Sequence, residues 1–275
     1  MSDFDISAFV ICKNEEAVIG RALESLNWAD ELVIVDGESS DNTVQIARRY
    51  TNKIFQRAWT NFGEQRNFAL DQLTKPWVFF LDADEVCSPE LIQWFKDFKI
   101  QGINGMATTV SDSPSQHLTQ RPGLGRVDLY EIRRWEYFRG RLYKYGAANP
   151  SHQWRFFRRE GTRFVGEVHE YPVVEGKILR LEAPIHHYPK TDLTGLVSKM
   201  NRYSTFEAEQ LFKKGVRHHA PYMLFSGISM FLKSYFRKQG FRDGVLGFIL
   251  AVLNGGCFWL RQAKLYLKNK EARKI

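Results

Sequence analysis

Cysteine is scarce in this 275-residue chain: Cys12, Cys87 and Cys257 stand far apart and show no metal-ligand spacing. A scattered, odd-numbered set excludes a disulfide framework and a cysteine zinc site. It points to reduced thiols in the cytosol, with Cys12 and Cys87 packing as small apolar groups. Met1-Ser2-Asp3-Phe4-Asp5 lacks a basic stretch and a following apolar core, so no secretory signal is expected. Internal repeats and low-complexity segments are absent. Glycine is missing from Cys12-Lys13-Asn14-Glu15-Glu16, the segment after the first expected strand. That excludes a dinucleotide-binding loop, and with it an oxidoreductase of that type, as well as the phosphate loop of a sugar-nucleotide pyrophosphorylase. Acidic residues are in deficit, 31 Asp and Glu against 39 Lys and Arg, for a net charge of +8. Such a balance suits nucleic acid, anionic lipid or phosphorylated substrates. The lack of a helix-turn-helix or RNA-binding motif counts against nucleic acid.

What is present is a regular alternation over the first hundred residues. Ile6 to Cys12 predicts a strand, and Glu15 to Leu26 a helix with Val18, Ala22 and Leu26 on one face. Strands follow at Glu31 to Val35, Lys53 to Gln56 and Trp77 to Leu81. Helices are expected at Asp41 to Tyr50, at Gly63 to Leu73 and, started by Ser88, Pro89 and Glu90, from Pro89 to Phe98. This rhythm predicts an α/β fold, a mostly parallel sheet with helices on both faces. After Gln101 the rhythm breaks. Ser111 to Gly125 reads as a loop, Leu129 to Tyr145 is dense in arginine and aromatics, and Gln153 to Arg158 and Glu167 to Tyr171 read as strands. From Asp192 the pattern is helical, to about Lys214 and again from about Pro221 to Arg237. Long apolar runs are few; Gly244 to Leu260 stands out, at the lower limit for spanning a bilayer. It contains Asn254 and glycines and is flanked by Lys233, Arg237, Lys238, Arg242 and a basic terminus. A packed helix or one lying in the membrane interface is favoured over a spanning one, with anionic lipid as the contact.

Phe79-Phe80-Leu81-Asp82-Ala83-Asp84-Glu85 is the most informative stretch. An apolar strand ends on two carboxylates, and alternate side chains of an extended segment point the same way. Ligands bind beyond the carboxyl ends of strands in open α/β sheets, where paired oxygens suit Mg²⁺ or Mn²⁺ and a diphosphate. Three other segments lie at strand ends: Cys12-Lys13-Asn14-Glu15-Glu16, Val35-Asp36-Gly37-Glu38-Ser39-Ser40-Asp41-Asn42-Thr43 and Gln65-Arg66-Asn67.

On these motifs the chain resembles the family 2 glycosyltransferases of the GT-A fold. Through Arg155-Phe156-Phe157-Arg158-Arg159, Gly166-Glu167-Val168-His169-Glu170, His186-His187-Tyr188 and Gly240-Phe241-Arg242-Asp243-Gly244 it is similar to the lipopolysaccharide-core β-glucosyltransferases. The resemblance implies a GT-A domain over 1–190, with 1–100 binding the nucleotide sugar and 101–190 the acceptor. A helical, membrane-associating region over 191–275 completes it. It also implies an inverting transfer of a hexose, glucose above all, from a UDP-sugar to an inner-core heptose. The enzyme would work on the cytoplasmic face of a bacterial inner membrane. Asn14, Glu16 and Asp36 would hold the nucleoside, Arg66 would lie by the base or diphosphate, and Asp82 would reach the ribose or metal. Asp84 would bind Mg²⁺ or Mn²⁺. His187 could complete the metal shell. The Glu-Asp pair that usually supplies the base is absent; the nearest counterpart is Val168-His169-Glu170, which assigns the base to Glu170 with His169 as competitor. Trp154, Arg155 and His169 would face the acceptor. Arg133, Arg134, Arg139 and Arg141 could join them toward its phosphates. Transfer to another lipid-linked or cell-surface glycan, and a basic module binding nucleic acid or membrane, are the competing readings.

Overall fold

The strand expected at 77–81 shows how the core is laid out. β4 (Trp77–Asp82) sends Trp77, Phe79 and Leu81 into one cluster and Val78 and Phe80 into another. It reads as a continuous apolar run because both of its faces are buried. The computed structural model describes residues 2–102, 109–110, 127–146, 151–166, 170–174, 176–189, 192–217 and 220–272. The chain divides into two units, residues 1–134 with 151–188, and residues 135–150 with 189–275.

In the first unit β1 (Ile6–Cys12) lies parallel between β4 and β2 (Glu31–Asp36), and β3 (Ile54–Gln56) continues the parallel set. Beyond β4 the sheet turns antiparallel through β9 (Ser151–Arg158) and β7 (Val127–Phe138). β5 (Glu85–Cys87) and β12 (Lys177–His187) pair antiparallel at the far edge, and β6 (Thr109–Val110) also joins β12. The parallel alternation expected of the first hundred residues is therefore one half of a mixed sheet. Helices α1 (Ile19–Glu24), α2 (Thr43–Ala47) and α4 (Pro89–Gln101) cover one face, and α3 (Phe62–Gln72) the other. Trp28 stacks on Phe95 at 4.0 Å, and Trp77 on Phe156 at 4.8 Å. Each such ring removed from water contributes about 2–3 kcal/mol. The hairpin β10 (Arg163–Val165) and β11 (Tyr171–Val173) adds Phe164 to the α3 face.

Two helices are shorter than the sequence pattern predicts. The backbone N–H groups of Asn14, Glu15 and Glu16 donate to Ser39 Oγ, Thr43 Oγ1 and Asp41 Oδ2 at 2.8, 2.7 and 3.2 Å. Side chains of the loop after β2 thus take the donors a helix start would leave open, and α1 begins only at Ile19. In that loop Asp41 accepts from the N–H of Thr43 at 3.0 Å, which delays α2. Ser88 caps α4 as expected, accepting from Leu91 N at 3.1 Å.

The second unit holds α5 (Leu193–Lys213), α6 (Ala220–Leu232) and α7 (Gly244–Glu271), with a π-helical turn at Lys233–Arg237 and a 3₁₀ turn at Gly240–Asp243 before α7. It also takes in residues 135–150, which the sequence assigns to the acceptor half of the first domain. The reason is local. The Asp243 carboxylate accepts from Lys144 N and Tyr145 N at 3.1 and 2.8 Å, tying the segment after β8 (Arg141–Tyr143) to the start of α7. The apolar stretch 244–260 is the first part of α7.

Candidate active site

The register of the parallel strands sets the site. Cys12 stands opposite Asp36, and Ile11 opposite Asp82, so the two carboxylates flank the end of β1 on neighbouring strands. Asp36 is fully buried and accepts from Ser39 N at 2.9 Å, Ser39 Oγ at 2.5 Å and Gln56 Nε2 at 3.3 Å. Burial, with Asp36 alongside, pushes the Cys12 thiol far up; burial lifts Cys87 to about 12. Both thiols are buried, as the sequence suggests. Asn14, at φ 56°, accepts from Ser40 N at 2.8 Å, and Glu16 Oε2 accepts from Asn42 N at 3.0 Å and Nδ2 at 2.9 Å. The first two loops are thereby locked to each other. Gly37 makes that approach possible: a Cβ there would sit 2.9 Å from the Trp59 ring and 3.2 Å from Cys12 O.

α3 carries the third motif, and each of its residues has a separate task. Gln65 Nε2 donates to Ala58 O at 2.9 Å, fixing the loop before the helix. Asn67 donates to Phe164 O at 2.9 Å and accepts from Phe164 N at 2.8 Å, clamping β10 to α3. Arg66 is buried between two acids: Nη2 donates to Asp82 Oδ1 at 3.0 Å and Nη1 to Glu170 Oε1. Gly63 lets the helix approach the strand connection, since its Cβ would lie 3.3 Å from Gly166 O and 3.7 Å from Glu170 Cβ.

Asp82 is the hub of a longer chain of charge. Arg155 Nη2 donates to Asp82 Oδ2 and to Glu85 Oε1, both at 2.7 Å, and Arg134 Nη1 to Glu85 Oε1 at 3.2 Å. Glu85, fully buried, also accepts from Asp82 N at 3.1 Å. The Phe80 ring lies 4.7 Å from the Arg66 guanidinium and 4.4 Å from that of Arg155. Burial would raise the Asp82 carboxyl, but Arg155 and then Arg66 outweigh it and hold it well below the usual carboxylate range. Arg155 is therefore not at an acceptor surface. It is 3% exposed, and its charge is spent on Asp82 and Glu85. Arg133 pairs with Glu182 in a partly exposed ion pair.

Asp84 is drawn elsewhere. The antiparallel pairing that sets His187 opposite Glu85 brings His187 Nε2 to 3.2 Å from Asp84 Oδ2, while Tyr188 N donates to Asp84 O at 2.8 Å. Among the described residues no group of three or more His, Cys, Asp or Glu side chains could hold a metal, so Asp84 and His187 are a two-donor pair. His186 points away in register with Val86, and burial lowers its imidazole pKa. Trp154 meets Tyr171 edge-on at 6.0 Å. His169 lies outside the described residues, as do Glu167, Val168 and the whole of the loop expected at Ser111 to Gly125. Glu85 and the clamp by Asn67 have no assigned role in the sequence reading. The signal for Glu85 was an acid followed by the apolar Val86 and Cys87, since a carboxylate buried in a strand has to be paired.

The family model "Glycosyl transferase family 2" matches residues 7–165. The lipopolysaccharide core biosynthesis glycosyltransferase LpsC of Rhizobium meliloti (strain 1021) is 29% identical over 273 residues, covering 96% of this chain and 93% of its own. An uncharacterized glycosyltransferase of Rickettsia typhi, RT0209, is also 29% identical, with 98% and 89% covered. Among solved structures, glucosyl-3-phosphoglycerate synthase from Mycobacterium tuberculosis in complex with Mg²⁺ and UDP aligns at a TM-score of 0.48 and 15% identity, covering 78% of this chain and 80% of that one.

Proposed function

The chain belongs to glycosyl transferase family 2, and from that premise we propose that it is an inverting hexosyltransferase. It would move glucose from UDP-glucose to a heptose of the lipopolysaccharide inner core, at the cytoplasmic face of the inner membrane. The relative named for lipopolysaccharide core biosynthesis, similar over nearly its whole length, supports the acceptor class. The observation that carries the donor side is the meeting of Asp84 and His187, 103 residues apart, at the end of β4. One carboxylate and one imidazole fit Mn²⁺ or Mg²⁺ when diphosphate oxygens and water supply the other ligands. Such a cation, when bound, supplies positive charge to the departing diphosphate. Arg66, whose guanidinium meets Asp82 and Glu170, would lie by the base or diphosphate.

In this reading Asn14, Glu16 and Asp36 shape the nucleoside pocket through the interlocked loops. Asp82 orients Arg66 and Arg155 beside it. Glu170 is the base: Arg66 holds its Oε1, and Oε2 takes the proton of the acceptor hydroxyl as that oxygen attacks the anomeric carbon. The bond to UDP breaks with its electron pair leaving on the diphosphate, and the configuration inverts. Trp154 and His169 would lie on the acceptor side, with Arg155 acting behind them.

Transfer from a panel of UDP-sugars to truncated core lipopolysaccharides, read by mass spectrometry, tests the proposal. Asp84→Ala should lower kcat at least about 100-fold; undiminished transfer removes the metal role. Glu170→Gln should lower kcat by about 100- to 10,000-fold while UDP affinity holds; retained turnover assigns the base elsewhere.

A further inference from the structure

Among the described residues, the second unit carries an apolar face that nothing in the unit covers. α6 exposes Leu224, Phe225 and Ile228, and α7 exposes Val245, Phe248 and Val252, with Phe225 at 66% and Val245 at 76%. The spacing is helical on both elements, so each presents one continuous stripe. Between them runs an open groove of about 470 Å³, walled by Leu224, Ile228, Val252 and Trp259. Its floor is the contact of Gly227 with Gly255. A Cβ on Gly227 would lie 2.7 Å from Trp259 Cβ, and one on Gly255 would lie 2.7 Å from Gly227 O. The helices close to backbone distance below the groove and leave a slot of hydrocarbon lining above it.

Charge identifies the occupant. Residues 213–275 contain thirteen Lys and Arg against two acids, Asp243 and Glu271. That excess of eleven is larger than the +8 of the entire chain, so the remainder is slightly acidic. The basic residues Lys233, Arg237, Lys238 and Arg242, all exposed, lie between α6 and α7. A solvent-exposed apolar face with this surplus matches an anionic bilayer, where each basic side chain near the surface adds about 1 kcal/mol.

α7 is apolar and long enough to cross a bilayer, yet its second half is bonded sideways to α5. Arg261 pairs with Glu207 at 2.8 Å, Lys264 donates to Asn201 Oδ1 at 2.7 Å, and Lys268 pairs with Glu209 at 3.3 Å. With α5 held alongside in this way, Cys257 in the apolar part of α7 meets the Met200 carbonyl, so a spanning α7 would carry the neighbouring Lys199 and Arg202 toward hydrocarbon, at a cost of several kcal/mol.

We propose that α6 and α7 lie in the plane of an anionic membrane leaflet as a monotopic hairpin, with one lipid acyl chain seated in the groove over Gly227 and Gly255. This specifies the membrane side of the function proposed above and rests on that reading only for its biological setting. Its test requires no sugar transfer, so the two fail separately.

The full chain is floated with vesicles of phosphatidylglycerol and phosphatidylethanolamine, and with phosphatidylcholine alone. Binding is expected to the anionic vesicles, to fall with added salt, and to drop at least roughly tenfold in Phe225→Glu, whose exposed side chain leaves the fold unaltered. Lipids brominated on the acyl chain should quench tryptophan emission, and Trp259→Phe should remove that quenching without releasing the protein from the vesicles. Equal binding by Phe225→Glu overturns the docking face. Quenching unchanged by Trp259→Phe overturns the seated chain. Self-association that Phe225→Glu abolishes, with no vesicle binding, assigns the face to a second copy of the chain and overturns the proposal.

Discussion

Glu85 accepts from Arg155, Arg134 and the backbone of Asp82 without contact with solvent. Its removal would leave two guanidiniums short of a counter-charge, one of them fully enclosed. Glu85→Ala should therefore lose about 3–5 kcal/mol, read as a lower urea midpoint, and Glu85→Gln should lose less because an amide oxygen still accepts. At this scale residues are unevenly legible in the sequence, for a physical reason. Asp84 and His187 could be paired in advance because each sits in a recognisable strand-end motif. Asp82 and Arg66 are legible as members of the same strand-end cluster. That they neutralise each other, and that Arg155 joins them from β9, depends on antiparallel pairing between β4 and β9, which no local pattern specifies. Arg155 lies in a basic segment that suggests an acceptor contact, and burial of a cation is invisible until its acids are placed.

The elements of the first hundred residues were legible because buried parallel strands are written as apolar runs. Their helix starts were less so. α1 starts late because the N–H groups before it are held by side chains of the following loop, a long-range effect that helical periodicity cannot register. Residues 135–150 joined the helices for a similar reason, through Asp243 about a hundred residues later. α3 is the element on which the site most depends, since Asn67 fixes β10 and Arg66 holds Glu170 beyond that strand. Asn67→Ala removes two hydrogen bonds to Phe164, each contributing about 0.5–1.5 kcal/mol. Amide exchange at Arg163 to Val165 should accelerate while exchange in β1 and β4 stays slow; protection retained at β10 would show that Phe164 alone holds the hairpin.

Across the whole molecule, stability should fall with acid in two stages. Burial holds the pKa of His152 and His186 down, so both favour the neutral form in the folded state. Their contribution is complete above the unfolded value of about 6.5 and is lost below it. Asp82, held down by Arg155 and Arg66 against burial, and Glu31, held down by Lys53 and Ser7 against burial, contribute fully above about 4 and lose that contribution as pH falls further. Thermal melts from pH 8 to pH 3 should show a shallow decline starting near 6.5 and a steep one starting near 4; a flat profile down to pH 3 would contradict the charge network. Arg66 also bridges Glu170, in the connection between β10 and β11, and Asp82, at the end of β4, so a single guanidinium couples the hairpin mechanically to the middle of the sheet and a displacement of either is felt by the other.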